Sequence, residues 1–169
     1  MEKRTSDRAE QETAEVMLGQ WCTGIRISHR AQEQAAATFD ARGRRLSVAS
    51  LAISTVVGTA IFASLSSSPA AGWKIVAGLL SLAAAVLSSL QFFMRYAERA
   101  DTHHRAARQL GRLRHRVETV LAAGKPEEEM ESLASEWDDL QEHVPVVPPG
   151  IYHRVEKEVM QGGRRPKHG

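Results

Sequence analysis

The residue types that most often do chemistry are poorly spaced for it in this chain. His103 and His104 are adjacent, so on a helix they point about 100° apart and cannot close on one ion. His29, His115, His143, His153 and His168 are scattered. No HExxH pair or nucleophile elbow occurs, and Gly58 and Gly72 do not form a phosphate-binding loop. Glu127, Glu128, Glu129 and Glu131 read most simply as the acidic first turn of a helix opened by Pro126. Cys22 is the single cysteine, which excludes an intrachain disulfide and a cysteine-based metal site. The expectation is a protein that is not an enzyme, with no metal and no cofactor.

The polar residues with a pattern lie inside apolar segments. Ser47, Ser50, Ser54 and Gly58 recur at steps of three and four, as do Ser81, Ala84, Ala85, Ser88 and Gln91. Small residues let membrane helices approach closely, and polar groups in lipid seek a partner or water. Ser50, Ser54, Gly58, Ser81, Ser88 and Gln91 are therefore expected to seal a helix interface or to line a pore. Two helices cannot enclose a pore, so a conduit requires several copies.

These residues need two membrane-length helices to position them. Across residues 46–94 the only formal charge is Lys74. Segments 46–65 and 75–94, about twenty residues each, match the 30 Å hydrocarbon core. The Ser/Pro/Ala/Gly run 66–72 reads as their turn. Trp73 suits the membrane interface, and Lys74 can reach the surface from there. The expected fold class is all-α, a two-span transmembrane helical hairpin continuing into a cytoplasmic helical bundle.

The flanks are charged but keep a helical rhythm. Ala14, Leu18, Trp21, Ile25, Ser28, Gln32, Ala35 and Phe39 form a heptad-like stripe over 14–45. A helix is expected to leave the second span without interruption and run over 95–123, capped by Gly124. Further helices are expected over 126–142 and 151–161, with an extended proline-rich connector, 144–150, between them. Residues 1–13 are expected to be a flexible N-terminus and 162–169 a disordered basic tail, around one domain, 14–161. Trp21, Phe39, Tyr96, Leu110, Trp137 and Tyr152 are the expected packing residues of the bundle. The polar N-terminus carries no signal-peptide pattern.

Arginines flank both spans. Arg42, Arg44 and Arg45 precede the first, and Arg95 and Arg99 follow the second, with more beyond as far as Arg116. The positive-inside rule then puts both termini in the cytoplasm. Topology and contact with anionic lipid explain these charges better than nucleic-acid binding, and the net charge is only +2.

In order and spacing, the chain resembles the SLATT family of bacterial two-transmembrane effectors, named for association with SMODS and SLOG. The resemblance spans about 15–160. It is carried by Trp21, Arg26 and His29 on the first helix, the Arg42–Arg45 patch, and the segment Ser54, Thr55, Val56, Val57, Gly58, Thr59. It continues through the post-membrane helix from Arg95 to Leu110 and the proline segment from Pro145 to Tyr152. The resemblance implies an effector of a bacterial conflict or antiviral defence system, in the inner membrane, acting as an oligomeric pore. It also implies a separate sensor or nucleotide-signalling protein as trigger. The other reading is a membrane-anchored scaffold or sensor whose hairpin only anchors the bundle. A small-ion transporter fits less well, because no acidic residue lies within the spans.

Overall fold

A computed structural model describes the backbone of residues 2–64, 71–124 and 126–162, and the side chains of 11–61, 72–124 and 128–162. Five helices follow one another: α1 (Glu2–Ser64), α2 (Ala71–Met94), α3 (Tyr96–Ala123), α4 (Pro126–His143) and α5 (Pro149–Gly162). No strand occurs among the described residues. The expected turn within 66–72 falls mostly outside them, as does the expected tail after Gly162. The backbone of α1 is helical from Glu2, where a flexible segment up to residue 13 was expected. The chain divides into two compact units, one built from Met1–Ala36 with Asp101–Gly169 and one from Ala37–Ala100.

The first unit is a helical bundle with two apolar clusters. Leu18 and Ile25 of α1, Leu113, Val117 and Val120 of α3, and Leu133 of α4 form one. Trp21, Cys22, Trp137 and Leu140 pack around it. The steps of three, four and seven residues put each helix's contribution on one stripe. Burial of each such side chain contributes about 1.5–3 kcal/mol. On a second face of α1, Ile27 and Ala31 meet Val155 and Val159 of α5.

Local chemistry ends these helices where the sequence suggests. Gly124 takes the left-handed conformation (φ 71°) that closes α3, and its carbonyl accepts a hydrogen bond from Gln11 Nε2 at 2.9 Å. The Pro148 carbonyl accepts the Ile151 and Tyr152 amides at 2.9 and 3.2 Å. Pro148 therefore caps α5 and Pro149 occupies its first helical position, where a missing N–H costs nothing. The expected connector 144–150 is shorter for this reason.

The second unit has almost no core. Leu51 is 69 % exposed and Phe92 88 %, and Val48, Val56, Ile61, Ile75, Leu79, Leu82 and Phe93 are exposed too. Helices apolar over most of their circumference need an apolar medium around them. The helical stretch Gly72–Ala123 is long and apolar enough to cross a membrane, with a window of mean hydropathy 2.0 that is not buried in the protein. The first expected span, 46–65, ends beyond the described side chains.

One expectation fails at Arg95. The helix from the second span does not run on unbroken, because α2 stops at Met94 and Arg95 adopts φ 46° before α3 begins. That left-handed conformation costs an ordinary residue roughly 1–2 kcal/mol. The Arg95 amide still donates to the Gln91 carbonyl at 3.3 Å, its carbonyl accepts the Arg99 amide at 3.1 Å, and its guanidinium pairs with Glu98. These contacts hold the kinked residue in place, and hydropathy periodicity does not register a single-residue change of dihedral.

Candidate functional site

The facing polar residues of the second unit lie near one end of its helices. Gln91 Nε2 donates to Ser47 Oγ at 3.3 Å, and the hydroxyls of Ser50 and Ser88 share a hydrogen bond at 3.3 Å. Residue numbers rise on α1 as they fall on α2, so the two helices run antiparallel through this seam. Beyond it the half-buried residues are Ile53 and Val57 on α1 and Ala77, Leu80, Ala83, Ala84 and Leu87 on α2, with Ala60 buried. The contact stripe is therefore mainly apolar, with a polar end.

That stripe is rotated from the small-residue stripe expected from the sequence. Ser50, Ser88 and Gln91 are brought together, but Ser54, Gly58 and Ser81 are exposed. A side chain placed at Gly58 would meet nothing within 4 Å. The hydroxyls of Ser54 and Ser81 make no hydrogen bond among the described residues. Other hydroxyls are satisfied along their own helix: Thr55 donates to the Leu51 carbonyl, Thr59 to that of Thr55 and Ser89 to that of Ala85, at 2.8–2.9 Å.

Close approach occurs at Gly43 instead, where an added Cβ would stand 3.2 Å from Tyr96 Cβ. The Phe39 and Tyr96 rings lie beside it with centroids 6.4 Å apart. Asp40, Arg44, Ser47 and Gln91 join these rings around a cleft of about 320 Å³. Gly43 was hidden in the arginine patch, and its only sequence signal was a glycine inside an otherwise helical run.

The first unit holds a polar lock that sequence reasoning missed. Gln32 and His103 are buried, at 2 % and 5 % exposure. Gln32 Nε2 donates to the Pro145 carbonyl at 2.8 Å, and Gln32 Oε1 accepts from His103 Nδ1 at 2.5 Å. One amide thus ties α1 to α3 and to the proline connector. Burial, with neighbouring His104 adding to it, holds the His103 imidazole below its ordinary 6.5. The available signal was a glutamine on an otherwise apolar stripe. His29 lies nearby over Gly111, with its Nε2 3.2 Å from where a Cβ would stand and its Nδ1 buried without a partner. No group of three metal-ligating side chains occurs among the described residues.

Of the expected packing residues, Leu110 is buried and Trp21 and Trp137 border the main cluster, whereas Phe39 and Tyr96 belong to the second unit. Tyr152 is not a core residue. It is exposed, edge-on to His153 at 6.3 Å, and α5 is anchored by Val155 and Val159 instead. Arg42, Arg44, Arg45 and Arg99 are exposed, and Arg95 is paired. Arg116, grouped in the sequence with the flanking arginines, is paired with α4. It reaches Glu136 at 2.6 Å and Glu129 at 3.0 Å on α4, which raises its pKa further. Burial chiefly pushes the Cys22 thiol up, with Glu118 adding to it, so it is a weak nucleophile.

A model of the SMODS and SLOG-associating 2TM effector domain family 4 matches residues 22–150. The chain belongs to this family. No curated protein and no solved structure matches it. As a member of this SLATT family it is a membrane-associated effector domain of conflict systems. The matched segment contains the seam, the cleft at Gly43 and the Gln32–His103 lock. It stops before Val155 and Val159, which anchor α5.

Proposed function

We propose that this SLATT domain is an oligomeric pore that perturbs the bacterial inner membrane when activated. Residues 46–65 and 75–94 would form the two-span hairpin, with both termini and the bundle in the cytoplasm. The observation that carries the reading is the pair of exposed hydroxyls, Ser54 and Ser81, which make no hydrogen bond among the described residues, whereas the exposed Thr55, Thr59 and Ser89 bond back to their own helix. In lipid such groups favour a polar partner or water, and in one copy neither hydroxyl has a partner among the described residues. Neighbouring copies would supply both. A separate sensor or nucleotide-signalling protein would act on the cytoplasmic bundle, through the connector held by Gln32. Neither nucleic acid nor a catalytic step enters this reading.

Purified protein in liposomes should release trapped ions and assemble beyond the monomer. Protein that remains monomeric in the bilayer and releases nothing would leave the scaffold reading, in which the hairpin only anchors the bundle. That alternative draws on the ordered core of the first unit, which needs no pore to explain it.

A further inference from the structure

The first unit carries a basic surface and an acidic surface that are complementary, and each keeps charged side chains without an ion pair among the described residues. On α3, Arg105, Arg108, Arg112, His115 and Arg116 line a trough of about 840 Å³. Arg105 is held by Asp101 at 2.6 Å and Arg116 by α4. Arg108, Arg112 and His115 have no acidic partner among the described residues. On α4, Leu133, Trp137 and Leu140 face the core, and no lysine or arginine occurs in the helix. Opposite that apolar face lie Glu131, Asp138, Asp139 and Glu142, all exposed and without an ion pair among the described residues.

Each stripe runs along one helical face. Arg105, Arg108, Arg112 and His115 follow steps of three and four along one face of α3. Glu131, Ser135, Asp138 and Glu142 do the same on α4. We infer that the basic trough of α3 receives the acidic stripe of α4 from a second copy of this chain. The inference rests on the homo-oligomer in the proposed function and names the cytoplasmic contact that builds it.

The physics favours a contact that sets partner and register rather than one of high intrinsic affinity. Exposed ion pairs contribute little singly, but an ordered array steers approach and penalises wrong alignments. The aliphatic stems of the arginines can cover the methylenes of the incoming carboxylates. Because trough and stripe are different surfaces, the contact is head-to-tail. It closes into a ring, or is made twice across a two-fold axis.

A charge swap tests this in the full-length protein in nanodiscs. One variant carries Arg108→Glu and Arg112→Glu, and the other carries Glu131→Lys and Asp138→Lys. Each alone should dissociate about tenfold or more readily by mass photometry, because like charges then face each other. An equimolar mixture, and a chain carrying all four changes, should reassemble. Added salt should weaken the wild-type assembly. Undisturbed assembly in both variants would overturn the inference. So would loss of assembly without recovery in the mixture while circular dichroism reports intact helices. Loss in the arginine variant alone would also overturn it, because the trough would then hold a small anion or a lipid headgroup. Assembly that follows the swap without ion release removes the pore and leaves the contact standing. Ion release by both reversed variants does the opposite.

Discussion

Gln32 holds the Pro145 carbonyl and the buried His103 imidazole N–H. Gln32→Leu roughly keeps the volume and removes both hydrogen bonds, so it should cost about 2–4 kcal/mol in denaturant unfolding of the bundle. A loss below about 0.5 kcal/mol would mean that water replaces the amide without penalty. His103 adds a pH dependence. Its folded pKa lies below 6.5, so the unfolded chain binds the proton more readily. Its contribution is complete above pH 6.5 and is lost as the pH falls from there through the folded pKa. The melting temperature should drop over that window, and His103→Asn should flatten the drop. A sequence shows that Gln32 and His103 sit on helical stripes, but a hydrogen bond between residues so distant in the chain leaves no periodic trace. The lock was illegible for that reason, whereas Leu18, Ile25, Leu113 and Leu133, whose burial follows from hydropathy and period, were not.

At the scale of helices, Gly43 and Gly58 of α1 make opposite forecasts. Gly43 faces Tyr96 Cβ at 3.2 Å, and Gly58 faces open space. Gly43→Leu should force α1 from the start of α3 and raise proteolysis near Arg95. Gly58→Leu should leave the isolated chain intact, so any loss of assembly it causes reports a neighbouring copy. Equal tolerance at both positions would remove the close approach at Gly43. The existence of helices, the stop at Gly124 and the start at Pro126 could all be read from caps and prolines. The rotation of the contact stripe could not. Ser50, Ser54 and Gly58 look alike in composition, yet the side-chain volumes of Ile53, Val57, Leu80 and Leu87 decide which face meets which. Packing of that kind depends on shape across two helices, and a one-dimensional pattern does not contain it.

For the molecule as a whole, the membrane reading rests on exposed apolar surface and the pore reading on Ser54 and Ser81. Replacing both serines with leucine should abolish ion release from liposomes while the protein still inserts, because the hydroxyls left on the outer face include Thr55, Thr59 and Ser89, which are bonded to their own helix. Unchanged release would move the conduit elsewhere, with the cleft beside Gln91 next to be tested. Two-unit organisation was partly visible in the sequence, as the contrast between a charge-free middle and charge-rich flanks. The flanks gave no such warning of Arg95. Its left-handed turn has a consequence for how the chain can vary. Glycine or asparagine could stand there with little steric cost, whereas a β-branched residue fits the turn poorly and would favour a continuous helix through it.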